Sequence, residues 1–576
     1  MTPLLFCLLA FQQHDTIVVT GTYEPLSIEE IDRAVRVLPV RENRPLFTSL
    51  SDLLRLDSSV DFRGRAPNGI QADVSIRGGA FGETLVLVNG LRVNDAQSSH
   101  HNMDIPLPLD AVDRVEVLRG SGSTMYGSDA AGGVINIVTA PPEATEVRLR
   151  TAFGNFGTNQ EQASLAGVFG KVSERAAFSR DFSTGFIPDR DYRNLQFSSD
   201  TRARTSLGTS SLTLAYMDHP FGADQFYGNY NSWENTKTWF AGAQQSFGER
   251  TSASFSYRRH SDLFVLFRDR PEIFTNHHSD ETWQGTLRRN EELSHSAHLF
   301  YGVEGLHESV VSTNLGDHAR SRAAAYAAFD VRALKRFSLS ISAREEVYRS
   351  WSATLSPTVA AGAWLSPTVK LRASASRAFR VPGYTDLYYH DPANLGSPSL
   401  RPERAWTYEG GADWSPTSHI RAELTVFHRR ERDGIDYYRS SPTDIWRALN
   451  ITNLNFTGVE AGVRSHGFDF RYTGLRGTQD TVAVGATKYT FNYPTHSGVV
   501  SWQGMLHGII ARTRVGVLDR KARDPYALWD VSAARSRGRV RPFLQLSNLT
   551  STRYEEVLGV SMAGRSFLVG AEFVIR

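Results

Sequence analysis

Cysteine is almost missing from this chain: Cys7, the one residue of its kind, lies in a short apolar run near the N-terminus. If that run is removed on export, no disulfide framework, thiolate nucleophile or cysteine-ligated zinc site is left. Long hydrophobic runs are missing too. The longest clear one, Leu4 to Phe11, falls well short of the ~18–20 apolar residues of a spanning helix, so helical membrane proteins are excluded. A β-barrel is not excluded. Its strands need only about 9–11 alternating residues and leave little trace in an average such as the mean hydropathy of −0.33. Neither sign of charge is in excess. Lys and Arg number 63 against 61 Asp and Glu, which argues against a basic nucleic-acid surface and against an acidic disordered chain. Glycine is plentiful at 46 residues and aromatics make up 11%, a combination suited to a long all-β chain with many turns and aromatic girdles.

Leu4-Leu5-Phe6-Cys7-Leu8-Leu9-Ala10-Phe11, followed by Gln12-Gln13-His14, reads as the apolar core of an export signal over residues 1–13. It departs from the usual pattern in having no Lys or Arg before the run and no small-x-small cleavage site. Phe6 is too bulky for the position before a lipid-modified cysteine. A buried N-terminal strand is the competing reading.

The chain changes character near Pro141-Pro142. Before that point, Leu50, Leu53 and Leu54, and earlier Ile28, Ile31 and Val35, repeat at helical spacing and predict short helices. Leu85 to Val88, Val115 to Leu118 and Val134 to Val138 predict strands, the first ending in Asn89-Gly90, a dipeptide suited to left-handed turns. Together these suggest a small α+β domain. After Pro142, alternation takes over. Val147, Leu149, Thr151 and Phe153 share one face, and Arg148, Arg150 and Ala152 the other. Phe337, Leu339, Ile341 and Ala343 alternate with Ser338, Ser340, Ser342 and Arg344, and Ile420, Ala422, Leu424 and Val426 with Arg421, Glu423 and Thr425. One apolar and one polar face per strand fits a barrel wall between lipid and water, and equally a soluble sandwich or propeller. The count favours the barrel: 576 − 142 leaves 434 residues, about 20 for each of the ~22 strands of a plugged outer-membrane transporter. No repeat of propeller-blade length is visible.

Two segments invite a specific chemistry. Gly122 and Gly127 have the spacing of a phosphate loop, but Ser128 stands where a lysine must follow, so nucleotide binding is rejected. Asp15-Thr16-Ile17-Val18-Val19-Thr20 is a short β-prone hexamer of the kind that adds as a strand to a partner's sheet edge.

That hexamer also resembles the TonB box of TonB-dependent outer-membrane receptors. Val74-Ser75-Ile76-Arg77-Gly78, Val86 to Arg92, Val112 to Gly120 and Tyr126 to Ile137 resemble the family's plug pattern in order and spacing. Ser376 to Pro382, Leu400 to Glu403, Asn453 to Glu460 and Leu546 to Leu549 extend the resemblance through nearly the whole chain. One departure is at the C-terminus: barrels of this family usually finish on an aromatic residue, whereas here Arg576 is last and Phe573 is the nearest aromatic.

The resemblance implies a mainly β fold: a ~22-stranded antiparallel transmembrane barrel with an N-terminal α+β plug inside it. The implied division is signal 1–13, TonB-box segment 14–25, plug 26–142 and barrel 143–576. It implies a receptor and not an enzyme, in the bacterial outer membrane. Its partners would be a TonB-type energy complex, the barrel assembly machinery, membrane lipid and a small-molecule ligand, with no nucleic acid and a monomeric state. The signalling subtype of the family carries an extra domain before the box, for which Met1 to His14 leave no room. The plug signature comprises Arg77, Gly78, Asn89, Gly90, Arg114, Glu116, Arg119, Gly120, Tyr126, Gly127, Gly132 and Gly133. Its glycines suit tight turns and close approach in a crowded lumen, and Arg77, Arg114, Glu116 and Arg119 are expected to face the polar barrel wall.

By the same analogy the ligand would meet two plug apices carrying Arg63, Arg65 and Asn68, and Gln97, Ser98, His100 and His101. Adjacent histidines on a strand point apart, so no metal shared by His100 and His101 is expected, and no cofactor is assigned. Asp189 and Asp191 are candidates for a calcium site, with a solvated turn as the plainer reading. Arg432-Asp433-Gly434-Ile435-Asp436-Tyr437 most resembles the cobalamin-receptor branch, which favours a corrinoid. A ferric siderophore, which Arg63 and Arg65 would suit, stays open. The alternative of another class is a secreted or surface β-rich adhesin or carbohydrate-binding protein.

Overall fold

A computed structural model describes residues 17–333, 336–451, 453–479, 485–521 and 523–576. The export signal and, in the hexamer, Asp15 and Thr16 lie outside the described residues. From Glu146 onward the chain forms a closed antiparallel barrel of 22 strands, from Glu146–Gly154 to Ser566–Ile575. The first and last strands pair with each other, Val147 opposite Ile575. This closed ladder sets aside the sandwich and the propeller.

Alternation sorts the wall as the sequence suggests. On the strand Phe337–Tyr348, Leu339 and Ile341 are 39% and 47% exposed on the outer face, while Ser338 and Ser342 are buried on the inner one. Leu424 and Val426 face outward and Thr425 inward in the same way. Phe169, Phe247, Phe337 and Phe468 stand exposed beside the short turns, as an aromatic girdle does at a membrane interface.

The lumen is filled by the plug. Its sheet has the order Val35–Pro39, Val112–Arg119, Gly133–Thr139, Thr84–Val88, Leu91–Arg92. The pair Thr84–Val88 and Gly133–Thr139 is parallel and the rest are antiparallel. Asn89 (φ 52°) and Gly90 (φ 81°), both left-handed, close the tight hairpin. Leu50–Leu54 is a helix, as its spacing predicts. Ile28 to Val35 is not. Ile28 lies in a turn and Val35 opens a strand, because Val-Arg-Val-Leu finds a ladder partner in Val112–Arg119 and burial there outweighs the local spacing. The plug core, with Val86, Val117 and Ile135 at its centre, continues into barrel residues such as Phe240 and Phe543, so plug and wall share one apolar interior.

Candidate functional site

Three regions carry the chemistry: the plug's outer apices, its ion pairs with the wall, and the N-terminal segment beneath it.

On the outer side, the hairpin formed by Val60–Gly64 and Ala72–Ile76 carries Arg63, Arg65 and Asp73. Arg65 Nη2 donates to Asp73 Oδ2 at 3.1 Å, and His100 Nδ1 meets Asp73 Oδ1 at 2.7 Å. Burial pushes the Asp73 carboxyl up, but Arg65, with His100, more than reverses this and holds it well below the usual carboxylate range. The His100 ring stacks on Phe81 at 4.4 Å and meets the edge of Tyr489. Tyr489 is fixed by buried Asp436, whose carboxylate accepts the N–H groups of Tyr489 and, from the same loop, Thr490. Asp436 lies in Gly434–Arg439, a strand of a small extracellular sheet beyond the barrel. Arg63 is buried against Asp61 at 3.6 Å.

The structure therefore brings Arg63, Arg65 and His100 together and separates the other candidates. Asn68 Nδ2 donates to Asp181 and Tyr192 on the wall at 2.8 and 2.9 Å. The carbonyl of Gln97 accepts from Thr385, and Ser98 caps the turn Ser99–His101. That turn is a short 3-10 helix rather than a strand, yet its two histidines still diverge. His101 points down among Asp104, Asp262 and His260. Asp189 and Asp191 are both engaged by Arg268, at 3.1 Å from Asp189 Oδ1 and 3.0 Å from Asp191 Oδ2, so a guanidinium takes the place a calcium ion would need. A cavity of about 710 Å³ opens between the outer loops, bordered by Glu272, Asn276, Thr313, Asn314, His390 and Asp391.

Inside the lumen, Arg77 Nε and Nη2 donate to Glu460 at 2.6 and 2.8 Å, and Nη1 lies 3.2 Å from Glu409. Arg119 reaches Glu423 at 3.1 Å and Glu460 at 3.3 Å. These five wall and plug positions are buried or nearly so. Gly120 lies against Glu409 and Gly127 against Glu346, so closely that a Cβ at either would collide with the carboxylate. A Cβ at Gly78 would also crowd Leu475, and one at Gly133 would crowd Ile76. Gly132 shares backbone hydrogen bonds with Gly120 and Glu83, and Tyr126 packs against the apolar cluster that includes Val18, Ile31 and Val35. Arg114 and Glu116 do not face the wall: Arg114 pairs with Asp113 and Glu116 within the plug. The reason is that Val112–Arg119 has neighbours on both sides and its second row of side chains points to the plug's underside.

There Glu116 takes up the N-terminal segment. Its Oε2 accepts the N–H groups of Val19 and Thr20 at 3.0 and 2.8 Å, and Asn136 Nδ2 donates to Thr20 Oγ1 at 2.9 Å. Val18 and Thr20 are fully buried, and Ile17–Val18 pairs with Leu26–Ser27. The described part of the hexamer is thus docked on the plug and is not a free strand.

Sequence reasoning missed Asp73, Phe81 and Tyr489 around His100, and the wall carboxylates Glu409 and Glu423. The wall carboxylates had a signal, since each sits on the inward row of an alternating strand; Tyr489 had none, because a long loop brings it in.

Two family models match the chain: the TonB-dependent receptor plug domain over residues 28–134 and the TonB-dependent receptor-like β-barrel over residues 145–549. The chain is 23% identical over 555 residues to the vitamin B12 transporter BtuB of Photobacterium profundum, covering 90% of this chain and 89% of the relative. It is 27% identical over 481 residues to the iron-regulated outer membrane virulence protein of Vibrio cholerae, covering 75% and 72%. Among solved structures, the siderophore receptor PirA of Acinetobacter baumannii superposes with a TM-score of 0.77 at 14% identity, over 94% of this chain and 98% of the other.

Proposed function

Since the chain belongs to the TonB-dependent receptors of the outer membrane, we propose that it binds a scarce solute outside and passes it to the periplasm when a TonB-type complex pulls on the segment containing Ile17 to Thr20. The supporting observation is the filled lumen. A plug held by Arg77, Arg119 and a shared apolar core leaves passage dependent on its rearrangement, and the docked segment is the part of the plug that a periplasmic partner could grip. In this reading residues 1–13 direct export, 14–25 couple to the energy source, 26–142 form the plug and 143–576 the barrel.

For the solute we favour a corrinoid, which is bulky, polar-rimmed and nearly neutral. Arg65, an apical cation that would attract a ferric catecholate, is already neutralised by Asp73, Arg63 shares Asp61 with Arg520, and Glu272 and Asp391 give the outer cavity an acidic border. Direct binding of cyanocobalamin and of ferric siderophores to the purified receptor tests this reading. Saturable binding of cyanocobalamin is expected. Binding of a ferric chelate alone, weakened by Arg65→Ala, would overturn it.

A further inference from the structure

The inner wall carries one tripeptide twice. His260-Ser261-Asp262 lies on the strand Thr251–Val265 and His278-Ser279-Asp280 on its neighbour Thr275–Ser294. The antiparallel register sets His260 opposite Asp280 and Asp262 opposite His278, and alternation turns all four side chains inward. The plug's apical turn lowers Asp95, His101 and Asp104 onto this square. His260 Nε2 is 3.1 Å from Asp104 Oδ2, and His101 Nδ1 is 3.4 Å from the same oxygen. His219 stands at the edge, its Nδ1 4.0 Å from Asp104 Oδ1.

Two observations indicate a missing cation. The first is charge: Asp95, Asp104, Glu234, Asp262 and Asp280 are all buried, and the guanidinium among them, Arg258, lies 3.0 Å from Asp95 and from Asp280. Carboxylates so enclosed need paired positive charge. The second is unused nitrogen: His219 is 3% exposed with neither ring nitrogen in a hydrogen bond, and Nδ1 of the 4% exposed His101 makes no hydrogen bond either, its nearest carboxylate oxygen being Asp104 Oδ2 at 3.4 Å.

We infer that His101 Nδ1, His260 Nε2 and Asp104 Oδ2 form a site for one divalent transition-metal ion of the zinc–nickel class, bound between plug apex and barrel wall. His219, 4.0 Å from the other oxygen of Asp104, is the candidate for its fourth position. Tetrahedral bonds of about 2.0–2.1 Å place donors roughly 3.3–3.4 Å apart, close to the separations in the cluster. Imidazole with carboxylate and no thiolate suits such an ion better than copper(I), and the imidazoles disfavour calcium. Each ligating ring is backed by an outer carboxylate: His260 Nδ1 lies 2.9 Å from Asp95, and His101 Nε2 3.7 Å from Asp262. Asn276, on the same inward row as His278, borders the outer cavity, which gives an ion its way in. The site stands independently of the solute proposed above.

The test uses the whole receptor purified in detergent, stripped with a chelator, incubated with zinc chloride and washed. One equivalent of zinc per chain is expected by elemental analysis, and cobalt chloride in its place should give the intense visible bands of a four-coordinate ion. His101→Gln and His260→Gln should each weaken zinc binding by more than about 100-fold, and Asp95→Asn by about 10-fold. The fully exposed His295→Gln should leave it unchanged. Folding of each variant is read from heat-modifiable migration on gels. Folded receptor that retains no zinc, nickel or cobalt overturns the inference, because the imidazoles would then be compensating the carboxylates as protonated cations. So does an equivalent that survives the double change at His101 and His260.

Discussion

Replacing Glu116 with glutamine should free the N-terminal segment. The carboxylate is fully buried and its Oε2 accepts two backbone N–H groups, from Val19 and Thr20, while Oε1 takes Arg114 Nε at 2.8 Å. A hydrogen bond to a charged group contributes about 1.5–3 kcal/mol and a neutral one about 0.5–1.5 kcal/mol. Glutamine keeps one acceptor oxygen but loses the charge, so docking should weaken by about 1–3 kcal/mol, a rise of about 5- to 150-fold in the undocked fraction. The readout is maleimide labelling of Val18→Cys, compared with and without Glu116→Gln, in chains without Cys7. Val18 is wholly buried, so its reaction rate reports how often the segment leaves the plug. If the doubly changed receptor folds and labels no faster than Val18→Cys alone, Glu116 is not what holds the segment.

Four further outcomes are expected. Deleting Asp15 to Thr20 should leave ligand binding intact and abolish uptake, and normal uptake by the deletion strain would contradict the coupling role. Ile341→Arg should cost ~2–4 kcal/mol if it lies near the bilayer midplane, whereas Ser340→Arg should cost little; equal yields of folded barrel on unheated gels would refute the assigned faces. Arg77→Met takes from buried Glu460 and Glu409 their nearest guanidinium, leaving Arg119 at 3.3 Å and Arg33 at 4.0 Å, a loss of up to about 3–5 kcal/mol that should appear as faster proteolysis of the plug, partly reversed by adding Glu460→Gln. Because Asp73 is held below its ordinary value, its stabilisation is full above the unfolded pKa of about 4 and lost as pH falls further. The protection of amides in the hairpin Val60–Gly64 and Ala72–Ile76, taken relative to their intrinsic exchange rate at each pH, should therefore fall on acidification, and Asp73→Asn should remove that dependence.

The barrel was legible because alternation is a local property: Leu339 and Ser338 declare their faces without reference to any distant residue. The plug strands were legible for a similar reason, as short β-branched runs bounded by turns. Val35 misled because its strand exists only by pairing with Val112–Arg119, which no spacing rule encodes. The site suffered most from distance. Arg65 reads as an apical cation, but its neutralisation depends on Asp73 folding back beside it under a loop that brings in Tyr489, and Arg63 shares Asp61 with Arg520, which comes from far along the chain. For the buried histidines a signal was present in the paired His-Ser-Asp tripeptides at 260 and 278. Only the ladder register makes it meaningful, since His260 meets Asp280 across the strands and not along them.

The seam between Glu146–Gly154 and Ser566–Ile575 has a consequence for biogenesis. Val147 and Ile575 are 575 − 147 = 428 positions apart, and Arg576 reaches back to Glu146 at 2.6 Å. The entropy of so large a closure is modest, since each doubling of a loop costs only about 0.6 kcal/mol more. Time is the harder constraint. Until the last strand crosses the inner membrane, every earlier hairpin travels through the periplasm with an unpaired edge open to other chains. Lesions in Ser566–Ile575 should therefore lower the yield of receptor far more than they loosen the receptors that form, separating a defect of delivery from one of stability.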